Sequence, residues 1–417
     1  MHPQKTEDNL RSLNRSDRRY KVTIVAPNCF YYHVQLFREL SASDRIDLTV
    51  YFCSDEGISG KDIKSEYGSD AIWAEEDELL GGYRYEFIRN CAPRGSYIKS
   101  MVGLANFGIW KILKNDPPDL VVVTSWMNPT WWLTFLACLR FKIPLFFMTD
   151  ANFYAEEFGS KLKSWIKKKA LGKLLFPNVT GFLCAGTANR LFYEYYGVTD
   201  EKLHPFVYTW GYKSLVEESG HLRTKKIELR MKFGLPEDAF VVLYCGRLSP
   251  EKGSFDLLEA FEKVNHPKKA LVLVGDGELR KSMEQIIETN GIDSVYFMGF
   301  QSRKAIGQFY ALADIFVLPS HKESWGIVVN EALCFSLPVI ASDQVGAAVD
   351  LVSPNENGYI FPVGDVQALA DCISQLVELT EEEISRMGEN SLIRVNEWND
   401  RDLATDMSGF LDLVYQS

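Results

Sequence analysis

The sequence predicts two α/β domains in tandem, each a doubly wound parallel sheet covered by helices, and three observations carry that expectation. The chain has 417 residues, which is too long for one ordinary core and suits two cores of about 200 residues each. Continuous apolar runs of strand length recur along it, and strands that are apolar on both faces belong to parallel sheets buried between helices. Helix-patterned segments separate most of these runs, as crossovers between parallel strands require.

The first series opens with KVTIVAPN (Lys21 to Asn28) and the helix-like HVQLFRELSA, then runs through IDLTVYFCS, DLVVVTSW, IPLFFMTD and TGFLCAGT. The second opens with AFVVLYCGRLSPEKG (Ala239 to Gly253) and continues with ALVLVGDG, VYFMGF, DIFVLPS, LPVIASD and GYIFPVGD. Between its strands lie SFDLLEAFEKV, GELRKSMEQIIETNG, RKAIGQFYALA and VVNEALCFS. The expected layout is a polar, frayed tail over 1–20, a first domain over 21–215, a second over 238–395 and a terminal helical segment over 396–417. The polar stretch 216–237, which carries RTKK, is expected to be the linker and hinge. In such sheets ligands sit at the carboxyl ends of the strands, and with two domains the cleft between them is the default site.

Composition removes several classes of function. The net charge is −11, which argues against a general nucleic-acid binder, whose phosphate contacts need a basic footprint. The eight cysteines stand at 29, 53, 91, 138, 184, 245, 334 and 372. No two have zinc-ligand spacing, so no metal site is expected. Cys184, Cys245 and Cys334 sit in apolar runs, as buried free thiols in a reducing compartment would. The N-terminal stretch is polar and lacks the apolar core of a secretory leader, so none is expected. The most apolar stretch, Trp126 to Thr149, is broken by Arg140, Lys142 and Pro144 and is expected to be a helix and a strand rather than a membrane span. No G-x-G-x-x-G follows either opening strand, which disfavours a dinucleotide-dependent dehydrogenase.

Two constellations carry chemistry. Gly246-Arg247-Leu248-Ser249-Pro250-Glu251-Lys252-Gly253 follows a buried strand and places an Arg and a Lys five apart on one loop at a sheet edge. Two cations and free amides at a helix start suit a diphosphate, and a solvated surface loop fits the same residues. His321 to Leu333 (HKESWGIVVNEAL) follows another strand, with Glu323 and Glu331 eight apart. Gly326 allows backbone to approach a ligand, and the amides from Trp325 to Val328 open a helix toward an anion. An acidic residue that complements a helix dipole is the plainer account of such a carboxylate.

Taken together, Gly-Arg-Leu-x-x-Glu-Lys-Gly, then Val-Gly-Asp-Gly (Val274 to Gly277), then Glu-Ser-Trp-Gly-Ile-Val-Val-Asn-Glu-Ala resembles family 4 of the retaining glycosyltransferases. The resemblance is strong over Ala239 to Val377 and weaker over the first domain. It implies the GT-B fold, whose last helix often crosses back to the first domain, and transfer of a sugar from a UDP- or GDP-sugar. It implies that Arg247 and Lys252 hold the donor diphosphate beside Gly246. It implies that Glu323 contacts the donor sugar and Glu331 the ribose. The backbone through Gly326, Ile327 and Val328 would lie over sugar and phosphate, with Trp325 near the sugar and Phe300 and Gln301 walling the base pocket. The family's retaining chemistry implies no enzyme nucleophile, no cofactor and no metal, the two cations standing where a divalent ion acts elsewhere.

The first domain departs from the family. The glycine-rich loop of many relatives is replaced by Pro27-Asn28-Cys29-Phe30, and the place of a family histidine by Thr149-Asp150-Ala151-Asn152. Asp150 either orients the acceptor hydroxyl or caps the following helix. The segment Ser160 to Phe176 carries six lysines and no acid in an acidic chain. Lys161, Lys163, Lys167, Lys168, Lys169 and Lys173 alternate with Trp165 and leucines, as in an interfacial helix on anionic lipid. A core-facing helix with solvated lysines has the same pattern. The expected protein is thus cytoplasmic and peripheral on the membrane, acting in glycolipid, cell-surface polysaccharide or glycoconjugate synthesis. The competing readings are a catalytically silent nucleotide-sugar-binding subunit and another GT-B enzyme, an epimerase or a phosphorylase.

Overall fold

The computed structural model describes residues 18–55, 58, 76–92, 102–125, 127–154, 161–207, 211–399 and 403–415. The polar tail 1–17 lies outside them. The first domain contains β1 (Tyr20–Ala26), α1 (Tyr31–Ala42), β2 (Ile46–Phe52), α2 (Glu76–Leu80), β3 (Tyr85–Phe87) and α3 (Gly108–Asn115). It continues with β4 (Leu120–Val123), α4 (Pro129–Phe141), β5 (Leu145–Thr149), α5 (Lys161–Lys169), β6 (Gly181–Cys184), α6 (Thr187–Tyr195) and β7 (Leu203–Pro205). Its seven strands are parallel, in the order β3-β2-β1-β4-β5-β6-β7. Every residue of β4 and β5 is buried, as strands sandwiched between helix layers must be.

After β7 come α7 (Tyr212–Leu222) and α8 (Lys226–Lys232), then β8 (Phe240–Cys245), α9 (Ser254–Lys263), β9 (Lys269–Val274), α10 (Arg280–Asn290) and β10 (Val295–Gly299). Next follow α11 (Arg303–Leu312), β11 (Ile315–Leu318), α12 (Ile327–Cys334), β12 (Val339–Ser342), α13 (Gly346–Leu351), β13 (Gly358–Phe361) and α14 (Val366–Val377). The chain closes with α15 (Glu381–Asn399) and α16 (Leu403–Val414). The second sheet has six parallel strands, β10-β9-β8-β11-β12-β13. In both sheets the chain reverses its direction of growth beside the first strand, at β1/β4 and at β8/β11, and a crevice opens at such a point.

Most of the polar stretch 216–237 is helical: α7 and α8 dock on the second domain, α7 burying Leu215 just before the stretch and α8 burying Leu229 within it. Arg230, 4% exposed, donates through Nη2 to Asp314 at 2.7 Å and through Nε to the Leu312 carbonyl at 3.0 Å. Lys226 reaches the same carboxylate, which also accepts the Val241 amide at 2.6 Å. The charge that suggests solvent is therefore partly consumed inside, where a buried cation requires a partner.

Helix α16 packs on the first domain. Asp412 accepts the Tyr20 hydroxyl at 2.6 Å and a forked pair from Arg45 at 2.8 and 3.1 Å. Tyr415 stacks on Tyr20, and its hydroxyl donates to the Asp119 carbonyl at 2.9 Å. Among the described residues no helix is long and apolar enough to cross a membrane, and Cys184, Cys245 and Cys334 are buried free thiols.

Candidate active site

The loop leaving β8 is shaped by backbone constraints. Tyr244 donates its hydroxyl to the Arg247 carbonyl at 2.8 Å, and Pro250–Lys252 form one 3-10 turn. Gly253 then enters α9 at φ +65°, and a Cβ there would lie 2.1 Å from the Pro319 carbonyl oxygen. Glycine meets both demands, a left-handed φ and close approach of a neighbouring backbone. The turn delivers Lys252 Nζ to 2.7 Å from Glu323 Oε2 on the loop after β11, and Ser320 Oγ contacts the same oxygen at 3.3 Å. Glu323 is further fixed by a bridge to Val345, so two strand-end loops of the second domain are stitched together there.

Gly326, at φ +90°, reverses the chain into α12. One turn on, Glu331 is 2% exposed. It accepts the Tyr310 hydroxyl, and its other oxygen lies 3.9 Å from Arg303 Nη1. Burial raises its pKa, against the opposing field of Arg303 and the Tyr310 hydrogen bond. A carboxylate held this way has little reason to be kept for stability alone, and it suits a site that presents acceptors to ligand hydroxyls.

At the carboxyl ends of β8, β9 and β10, and against α11 and α12, lies a cavity of about 120 Å³ lined by Gly246, Arg247, Phe300, Gln301, Arg303, Val328 and Glu331, among others. Gln301 is oriented by donating its Nε2 to the Met298 carbonyl at 2.6 Å. Six of these positions were expected from sequence; Arg303 was missed. Its only signal is an Arg at the first position of the helix that follows Phe300-Gln301. Asp276, of the Val-Gly-Asp-Gly element, also lines the cavity and lies 3.3 Å from Arg280. Lys252 and Glu323 pair on the adjoining segments rather than lining the cavity, and Ile327 opens α12 behind Gly326.

The first domain contributes Asp150, at the carboxyl end of β5. Residues 151–154 are not helical, so Asp150 caps no helix there. Its carboxylate edge is open to the cleft, yet protein from both domains crowds around it. That desolvation raises its pKa, and Glu323 adds to the rise, while its own backbone amide, Ser324 and Lys252 oppose it. Asp150, Ser324, Glu323 and Lys252 thus form one cluster across the cleft. Trp325 does not join it. It is 6% exposed, stacks on Trp398 with centroids 5.6 Å apart, and donates Nε1 to Asn330 Oδ1 at 2.9 Å. The indole fills the interdomain seam against Gly186, where an added Cβ would lie 2.4 Å from its ring. Glu323 pairs with Lys252, whereas Trp325, two residues on, is held by Trp398 and Asn330.

The segment expected to meet lipid forms α5 and a following π-helical turn, Ala170–Leu175. Trp165, Ile166 and Leu174 are 58%, 52% and 58% exposed. Lys169 lies over the Trp165 ring, whereas Lys167 and Lys168 cover the rings of Phe192, Tyr196 and Tyr195 in the domain's own surface. The side chains of Lys161 and Lys163 lie outside the described residues.

Residues 225–393 match the family model of the glycosyl transferases group 1. The match covers most of the second domain. Over 170 residues, 40% of this chain, it is 32% identical to an alpha-D-kanosaminyltransferase of Streptomyces kanamyceticus, covering 43% of that protein. Over 181 residues, 43% of this chain, it is 30% identical to an N-acetyl-alpha-D-glucosaminyl L-malate synthase of Bacillus anthracis, covering 46% of it. The matched segment therefore spans under half the length of either relative. At the level of the whole fold, the crystal structure of Anabaena HepE in complex with UDP superposes with a TM-score of 0.71 at 19% identity, covering 95% of this chain and all of that one. The architecture is GT-B, two parallel-sheet domains of which the second carries the match to the group 1 model.

Proposed function

We propose that the chain is a retaining, metal-independent glycosyltransferase that moves a sugar from a nucleotide-sugar to an acceptor hydroxyl. One observation carries this reading. A cavity at a topological switch point presents Arg247 and Glu331, while Lys252 and Glu323 pair on the adjoining loops and face Asp150 across the cleft. The donor lies with its base toward Phe300 and Gln301, its ribose on Glu331 and its diphosphate on Arg247, Lys252 and the α12 amides. The glycosidic carbon–phosphate oxygen bond breaks as the acceptor oxygen attacks from the same face. The acceptor proton passes to the departing phosphate oxygen, and Arg247 and Lys252 stabilise the charge left on the diphosphate. Glu323 contacts the sugar and Asp150 orients the acceptor hydroxyl. UDP-sugars are the first donors to test, since HepE was solved with UDP and with UDP-glucose.

The acceptor is membrane-proximal in this reading. Exposed Trp165, Ile166 and Leu174 beside Lys168, Lys169 and Lys173 support that placement, because apolar insertion and anionic-lipid attraction add. A relative at 31% identity over 137 residues is an alpha-monoglucosyldiacylglycerol synthase of Acholeplasma laidlawii. The test is a thermal-shift and donor-hydrolysis screen against UDP-, GDP- and ADP-sugars in excess chelator. Stabilisation and turnover by one donor are expected. Turnover that appears only on adding Mn²⁺ or Mg²⁺ removes metal independence, and binding without turnover across acceptors favours the silent-subunit reading.

A further inference from the structure

Asn152 and Thr187 of the first domain both bond across the seam, and Asn152 touches the backbone of the signature acid. Asn152, two residues beyond Asp150, is 5% exposed. Its Nδ2 donates to the Glu323 carbonyl at 2.8 Å and to the Gln344 carbonyl at 3.2 Å. Its Oδ1 accepts the Tyr154 amide at 2.7 Å. Two acceptors on one side and one donor on the other fix the orientation of the amide, and among side chains of this size only Asn satisfies all three.

The loop that carries Asn152 is itself held. Asn189, 4% exposed, donates to the Ala151 carbonyl at 2.7 Å and accepts the Ala185 amide at 3.1 Å. Thr149 and Tyr193 share a hydroxyl contact of 2.7 Å below it. Helix α6, which supplies Asn189 and Tyr193, is capped at its N-terminus by the second domain. Asp350 accepts the Thr187 amide at 2.9 Å and the Thr187 hydroxyl at 2.6 Å. On the receiving side, Gly346 leaves room: a Cβ there would lie 2.2 Å from the Ser324 carbonyl oxygen and 3.2 Å from Asn152 Nδ2. The hydrogen bonds close a circuit from Asp350 through α6 and Asn152 to the loops holding Glu323 and Gln344.

We infer that Asn152 is a positioning residue: delivered by the first domain when the cleft closes, its amide sets the backbone of Glu323, so that domain apposition and assembly of the sugar site are one event. The inference rests on the transferase reading above. It separates two functions of the site, because in that reading the nucleoside diphosphate contacts Arg247, Lys252, Phe300, Gln301 and Glu331, none of which Asn152 touches. Closure of this kind completes a catalytic constellation, and a nucleotide held by the second domain alone gains no contact from Asn152.

The experiment uses the full-length protein and the donor that it turns over. Asn152→Ala and Asn152→Asp are compared with wild type for kcat at saturating donor, read as release of the nucleoside diphosphate, and for affinity toward that diphosphate by calorimetry. Asn152→Asp faces a carboxylate at two carbonyls, so it is the more damaging of the two. We expect kcat to fall at least tenfold in Asn152→Ala and further in Asn152→Asp, with diphosphate affinity within twofold of wild type. In a Glu323→Gln background, Asn152→Ala is expected to lower kcat less than twofold, since its target is already disabled. Wild-type kcat in either Asn152 variant, equal losses of affinity and kcat, or fully additive losses in the double variant overturns the assignment. A wild-type protein that turns over no donor overturns the transferase reading itself, and is told apart because the loss then precedes any substitution.

Discussion

Replacing Lys252 with Met tests the charge logic of the site most directly. Lys252 and Glu323 approach to 2.7 Å with side chains 24% and 15% exposed. As a stability element such a partly exposed pair is worth about 1 kcal/mol or less after solvent screening. The melting temperature should therefore move by only a few degrees. In the proposed reaction the same ammonium faces the charge that develops on the departing diphosphate, and losing one contact of that kind costs about 3 kcal/mol, or a rate factor of about 100. Lys252 also opposes the desolvation that raises the Asp150 pKa. Its removal leaves Asp150 facing Glu323 without a cation, so the acidic limb of the pH–rate profile should shift to higher pH. The assay is kcat at saturating donor across pH, with the melting temperature as control. A variant within threefold of wild type in kcat, with an unmoved acidic limb, would refute the reasoning. So would a loss of activity that merely follows a loss of fold. Lys252→Arg should recover little, because the planar guanidinium does not reproduce a point charge at the end of this turn.

Other perturbations reach different parts of the molecule. Gly253→Ala imposes φ +65° on alanine and drives its Cβ into the Pro319 carbonyl; denaturant melts should show a loss of about 2–4 kcal/mol. His33 is buried, and burial lowers its pKa from 6.5 to about 3. The folded state thus holds it neutral while the unfolded chain takes up a proton below about pH 6.5. Stability is full above that pH and declines toward pH 3, by about 2 kcal/mol at pH 5, and His33→Gln should flatten the acid limb of the stability profile. Asp412→Ala removes the partner of Arg45 and Tyr20; about 1–2 kcal/mol should be lost, with hydrogen exchange rising first in α16. Trp165→Ala with Leu174→Ala should reduce cosedimentation with phosphatidylglycerol vesicles at low salt and leave donor hydrolysis in solution unchanged; equal cosedimentation of wild type and variant removes the lipid surface from the proposal.

The parts of this molecule that were legible in sequence are those set by local chemistry. Buried strands such as Leu120–Val123 and Leu145–Thr149 announce themselves as continuous apolar runs. The β8 loop and the Glu323-to-Glu331 segment are legible because turn geometry fixes glycines at 253 and 326, and because the charged residues that they carry have few structural uses. Along residues 216–237 polarity does not mean exposure. Arg230 is both charged and 4% exposed, and the carboxylate of Asp314, 84 positions away, makes that tolerable.

The remaining misreadings lie along the seam between the domains, and they have one physical cause. Trp325 sits inside the most specific motif of the chain, yet its ring belongs to a stack with Trp398 and to the space left by Gly186. Asn152 sits in an unremarkable loop, yet its amide ends on the carbonyl of the motif's first acid. Neither assignment is written in local pattern, because each depends on which surfaces of two separately folded sheets are brought together. The spacing of eight between Glu323 and Glu331 has a reading in these terms. It places one carboxylate on a loop that the opposite domain can adjust and the other on a helix that it does not reach. The sugar end of the site is then subject to closure and the nucleoside end is not. On the proposed reading, the donor is held by the second domain alone, and the chemistry is completed only when Asp150 and Asn152 arrive with the first domain.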